Sequence, residues 1–261
     1  MTLQEKFVQL KKEKRAALIA YVPFGFPRPK DTESILYALE KGGADIIELG
    51  VPFSDPLADG PIIQAAAAQA LGAGASVAKL FVLLKKTKDK IKTPLVIMTY
   101  LNPVLAFGAK KFFQEMNAGG VSGVMLVDSP VEESREFIKL AHENKIDTIF
   151  FVTPTTEKAR LKKIASASSG FIYYISVAGT TGFKELCYEE AEKNVKALKK
   201  ISRTPVCIGF GVHSREQVEK LARFCDGVIV GSAIVKYIGE NSPKRDFLIG
   251  LERFTAGLCT K

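Results

Sequence analysis

Two rhythms of apolar residues alternate along the chain. Short continuous apolar runs, without strict polar alternation, recur at a spacing of roughly thirty residues. They cover 16–22, 45–49, 94–99, 123–127, a stretch within 145–152, 171–176, 205–208 and 227–230. Runs of this kind suit parallel strands buried on both faces. Between them lie segments with helical spacing. The first is 3–12, where Leu3, Phe7 and Leu10 share one side. Others are 32–41, stopped by Gly42-Gly43, then 62–70, 77–88 and 110–117. Further on come a helix with Pro130 at its first position, one from 156 or 157 to 166, and 188–200, 215–223 and 245–257. Eight strand–helix units with an extra N-terminal helix predict an α/β fold, a (β/α)8 TIM barrel formed as a single domain over residues 1–261. The alternative is a doubly wound open sheet. Its Gly-x-Gly-x-x-Gly after the first strand is missing, since that turn reads Ala20-Tyr21-Val22-Pro23-Phe24-Gly25.

Composition changes this picture little. The 261 residues are 47% hydrophobic and 25% charged, as in an ordinary globular domain. No apolar run reaches membrane-spanning length, and the N-terminus lacks a signal-peptide core. Cys187, Cys207, Cys225 and Cys259 form no paired motif, and Cys207 lies in an apolar run, as a buried free thiol would. A reducing cytoplasm is the expected compartment. The net charge is +9, but the lysines fall at helical spacings with acids nearby and no interleaved aromatics. That pattern describes solvated helix faces that attract anionic metabolites, with no nucleic acid and no membrane as partner.

The densest chemistry stands at the strand exits, where a barrel of this kind places its active site. Glu48 lies near the end of the second strand. It leads into a loop stiffened by Pro52, Pro56 and Pro61, which carries Asp55 and Asp59. Carboxylates beside apolar groups such as Val51, Phe53 and Leu57 can titrate near neutrality and serve as acids or bases. Tyr100 and Asn102 follow the third strand and Asp128 the fourth. Gly179 to Gly182, Gly209 to Gly211, and Gly231-Ser232 follow the sixth, seventh and eighth. Glycine-exposed amides in front of a helix start bind phosphate. One of Tyr173 and Tyr174 must point into the barrel, because alternate strand residues do. There are only two histidines, His142 and His213, with no second histidine beside either, so a histidine-liganded metal is not expected. No strand-end lysine offers a Schiff base. Acid–base chemistry by carboxylates remains, with Glu48 first and Asp59 second.

The block Glu48-Leu49-Gly50-Val51-Pro52-Phe53-Ser54-Asp55-Pro56-Leu57-Ala58-Asp59-Gly60-Pro61 resembles the signature of the tryptophan synthase alpha chain family. The similarity continues through Tyr100-Leu101-Asn102-Pro103, Asp128-Ser129-Pro130, Gly179-Thr180-Thr181-Gly182, Gly209-Phe210-Gly211-Val212 and Gly231-Ser232-Ala233. The resemblance implies retro-aldol cleavage of indole-3-glycerol phosphate to indole and glyceraldehyde 3-phosphate, in L-tryptophan biosynthesis. It makes Glu48 the acid–base and Asp59 the partner of the indole N–H. Tyr173 would line the pocket, and Thr181, Gly182, Gly211, Gly231 and Ser232 would hold substrate, chiefly its phosphate. It further implies a beta chain partner in an α2β2 heterotetramer, with Pro52, Asp55 and Asn102 facing that partner. Pyridoxal phosphate is expected on the beta chain, with no cofactor on this one. The loop at about 177–188 would close over substrate. Two alternatives stay open: a catalytically weak allosteric partner of the beta chain, and another phosphate-binding barrel isomerase.

Overall fold

A computed structural model describes residues 1–176, 187–209 and 211–259. Among these residues, nine strands form one parallel sheet: β1 Ala17–Pro23, β2 Ile46–Gly50, β3 Leu95–Thr99, β4 Gly123–Leu126, β5 Asp147–Thr148, β6 Phe150–Val152, β7 Ile172–Ile175, β8 Val206–Gly209 and β9 Gly227–Val230. Their order is β5-β4-β3-β2-β1-β9-β8-β7-β6. The two ends of that order, β5 and β6, are consecutive in the chain. Asp147–Thr148 pairs with β4, and Phe150–Val152 pairs with β7. Between them the Ile149 amide donates to the Val124 carbonyl at 3.0 Å. The fifth expected strand is thus one barrel position in two pieces, and the sheet curls into the TIM barrel.

Side-chain alternation sorts the strands into two faces. Ile19, Ile46, Val96, Met125, Ile149, Phe171, Cys207 and Ile229 point inward and pack as one buried cluster. Their neighbours, such as Leu18, Ile47, Ile97, Val124, Ile208 and Val228, point outward against the helices. The inner cluster ends on the N-terminal helix Leu3–Lys12, whose Leu3, Phe7 and Leu10 plug the barrel at the strand starts. A capping box holds the helix start: Thr2 Oγ1 accepts from the Glu5 amide at 3.1 Å, and Glu5 Oε2 from the Thr2 amide at 2.8 Å. Arg15 reaches buried Asp45 with two hydrogen bonds of 2.6 and 2.8 Å, and Asp45 also accepts from the Leu18 amide at 2.9 Å. These bonds fasten the plugged end.

Three expectations change. Pro130 does not open a helix. Ser134 Oγ donates to the Pro130 carbonyl at 2.8 Å and pairs with Ser129 Oγ at 2.8 Å, which keeps this stretch a turn. The helix begins later, at Arg135–Glu143. Leu101–Phe107 is helical although it contains Pro103, because a proline in the first helical turn removes an amide that has no partner there. A helix also spans Ser232–Asn241, directly after Gly231. Among the described residues, no single helix is long and apolar enough to cross a membrane.

Candidate active site

The strand exits surround a cavity of about 430 Å³. Its wall includes Tyr21, Glu48, Asp59, Tyr173, Gly211 and Ser232, with Met98, Phe151 and Ile229 beneath. Glu48 enters from β2, the inward residue after Ile46. It is 1% exposed, and Oε1 has no hydrogen-bond partner among the described residues. Burial alone pushes its carboxyl from the ordinary 4.5 to about 8.

Asp59 comes from the proline loop and is 8% exposed. Burial raises it from 3.8 to about 6, against a hydrogen bond from the Tyr100 hydroxyl that lowers it. That hydroxyl donates to Asp59 Oδ2 at 3.1 Å and accepts from the Ala58 amide at 3.0 Å. The Tyr100 ring also packs on Phe53, with centroids 5.3 Å apart. The loop that a proline-rich sequence stiffens is therefore also pinned from β3. The two carboxyls settle on either side of neutrality, an arrangement that separates a proton donor from an anion.

Of the paired tyrosines, Tyr173 points in and lines the cavity. Tyr174 points out and its hydroxyl accepts from Asn194 Nδ2 at 2.9 Å. A Cβ at Gly209 would strike the Tyr173 hydroxyl and ring, so glycine there makes room for the phenol. Gly211 has φ +75°, a conformation glycine adopts freely. Gly231 caps the helix Ser232–Asn241, and its carbonyl accepts from the Val235 amide at 3.0 Å. The first amides of that helix have no intrahelical acceptor, and the positive end of its dipole stands at the cavity wall. Thr181 and Gly182, together with most of the loop at 177–188, lie outside the described residues.

Asp55 and Asn102 are exposed on the rim, whereas Pro52 is buried within the chain. Leu57, between the two loop acids, is 84% exposed. Asp128 does not line the cavity; its Oδ1 accepts from the Leu101 amide at 2.7 Å and holds the start of helix Leu101–Phe107. Among the described residues, no three His, Cys, Asp or Glu side chains gather as a metal site. All four cysteines are free, and Cys207 is fully buried in the barrel. Sequence reading passed over Tyr21 as a lining residue and the link from Tyr100 to Asp59. The signal for Tyr21 was its place two residues after inward Ile19.

A family model described as tryptophan synthase alpha chain matches residues 7–255. A tryptophan synthase alpha chain from Geotalea daltonii is 41% identical over 242 residues, covering 93% of this chain and 92% of its own. One from Petrotoga mobilis is 42% identical over 243 residues, with 93% and 94% covered. The crystal structure of tryptophan synthase subunit alpha from Legionella pneumophila matches with a TM-score of 0.91 at 32% identity, over 99% of this chain and 97% of that one. A chain of Mycobacterium tuberculosis tryptophan synthase matches at 0.90 and 36% identity, over 99% and 98%. The barrel, its strand-exit cavity and these similarities over nearly the whole length place the chain in the tryptophan synthase alpha chain family.

Proposed function

We propose that this chain is a lyase that cleaves indole-3-glycerol phosphate to indole and glyceraldehyde 3-phosphate, with Glu48 as the acid–base and Asp59 as its anionic partner. The observation that carries the reading is Glu48 itself, a fully buried carboxyl, with one oxygen unpaired among the described residues, on the wall of a cavity that also holds a second acid. With a pKa of about 8, Glu48 is mostly protonated at neutral pH. It gives its proton to the ring carbon that carries the glycerol chain. Positive charge spreads to the ring nitrogen. Asp59, mostly ionised at neutral pH with a pKa of about 6, accepts the N–H and offsets that charge. Glu48, now a carboxylate in apolar surroundings, takes the proton from the hydroxyl on the adjoining chain carbon. The carbon–carbon bond breaks, its electron pair returns to the ring, and the hydroxyl carbon leaves as the aldehyde.

Gly211, Gly231 and Ser232 stand where amides and a helix start would hold the phosphate, and we assign Thr181 and Gly182 to the same task. The exposed rim around Asp55, Leu57 and Asn102 supports a docking face for a beta chain, in an α2β2 assembly with pyridoxal phosphate on the beta chain. A cytoplasmic location fits that assignment.

The test is indole release from indole-3-glycerol phosphate with saturating beta chain, for wild type and Glu48→Gln. General acid–base help is worth about 10²–10⁴-fold, so the variant should lose at least two orders of magnitude in kcat while still binding substrate. A variant that keeps most of its activity removes Glu48 from the mechanism. An inactive wild type removes the lyase reading.

A further inference from the structure

Among the polar side chains on the cavity wall, Tyr21 has no part in the scheme above. It stands on β1 in register with Glu48 on β2, so the two side chains enter the barrel side by side. One edge of the buried ring lies beside Gly231, where an added Cβ would come within 3.4 Å of Tyr21 Cδ1. The far end lies over Gly50, the next inward position beyond Glu48. A Cβ at Gly50 would collide with both the ring and the hydroxyl. Glycine at 50 therefore leaves a notch that seats the phenol and fixes its hydroxyl one step above Glu48. The same construction recurs across β7 and β8, where Tyr173 is in register with Cys207 and its hydroxyl lies over Gly209.

Among the described residues, no group donates to or accepts from the Tyr21 hydroxyl. The hydroxyl opens on the cavity, within reach of a bound molecule. The acids facing it are Asp59 and Glu48, with the phenols of Tyr100 and Tyr173 beyond. Burial first, and then the two acids, push the phenol well above its ordinary range, so it keeps its proton and is available as a donor.

We propose that Tyr21 is a further substrate-contacting residue, whose hydroxyl donates to the oxygen of the phosphorylated three-carbon chain from which Glu48 takes the proton. This rests on the lyase reading above. As that proton leaves, negative charge grows on the oxygen before the carbon–carbon bond breaks. A donor already fixed beside it favours that charge over the neutral hydroxyl, and so acts on the transition state.

The experiment compares wild type with Tyr21→Phe, each with saturating beta chain. kcat should fall about ten- to a hundredfold with KM within about threefold, and the melting temperature should not drop, since the ring still fills the notch. An unchanged kcat overturns the proposal. Binding of glyceraldehyde 3-phosphate to the two chains, by calorimetry, is the second measurement. If wild type itself releases no indole, the lyase reading fails and this binding decides the role of Tyr21. Weaker binding by Tyr21→Phe supports the contact, and equal binding overturns it.

Discussion

Burial that moves the Glu48 carboxyl from 4.5 to about 8 also ties the fold's stability to pH. Below about pH 4.5 the group is neutral in both folded and unfolded chains and adds nothing. As pH rises, the unfolded chain ionises first, so stability is lost between about pH 4.5 and 8 and stays level above. At about 1.4 kcal/mol per unit, the loss is at most about 5 kcal/mol. Glu48→Gln should therefore match wild type at pH 4.5 and exceed it by a few kcal/mol at pH 8, as read by urea unfolding at the two pH values. Equal stability at pH 8 would mean that the buried carboxyl is not desolvated. Tyr100 works in the opposite direction on its neighbour. Its hydroxyl lowers the Asp59 carboxyl against burial. Tyr100→Phe should raise that pKa and move the acid limb of the kcat profile to higher pH. An unmoved limb would separate Asp59 ionisation from the rate.

At the scale of elements, the N-terminal helix carries its effect through three residues. Leu3 is fully buried in the floor of the barrel. Its Cδ1 lies where added Cβ atoms at Gly123 and Gly170 would each be 2.9 Å away. Leu3→Ala should cost about 2–5 kcal/mol by transfer and cavity terms. The cavity that holds Glu48 is at the other end of the strands, so kcat per folded molecule should hold. Denaturant melts and kcat at low temperature would check both halves. The helix was legible because its apolar spacing is clean, with Leu3, Phe7 and Leu10 on one side. The strands were legible because burial on both faces leaves continuous apolar runs. Leu101–Phe107 was not, because Asn102-Pro103 reads as loop chemistry, and only the position of Pro103 in a first turn reconciles it with a helix. Pro130 failed the other way: the Ser129–Ser134 hydroxyl pair that makes its stretch a turn is a contact no local pattern announces. At the site, Glu48 and Asp59 could be picked from charge in an apolar context. The bond from Tyr100 to Asp59 joins residues far apart in sequence, and the Tyr21 notch needs the strand register before it can be seen.

At the scale of the whole molecule, several helices carry charge ordered by the barrel's direction. The helices that follow the strands run back antiparallel to them. Their N-termini crowd the cavity end, and several begin with acids: Glu33, Glu136, Glu189, Glu190 and Glu216. Their C-termini crowd the plugged end with lysines, among them Lys41, Lys85, Lys86, Lys199, Lys200 and Lys220. Each sign suits the helix dipole nearest to it. Among the described residues, no Lys or Arg lines the cavity. On the proposed reading, a phosphate held there depends on amides and a helix start, at short range. The far lysines act through solvent, where screening lengths fall from about 10 Å at 0.1 M salt to about 3 Å at 1 M. Raising KCl from about 0.05 to 0.5 M should therefore change KM for indole-3-glycerol phosphate less than about threefold, with kcat level, despite the basic composition. Steady-state indole release across that range is the measurement. A tenfold rise in KM would place a cation against the phosphate and displace the amide cradle as its main holder.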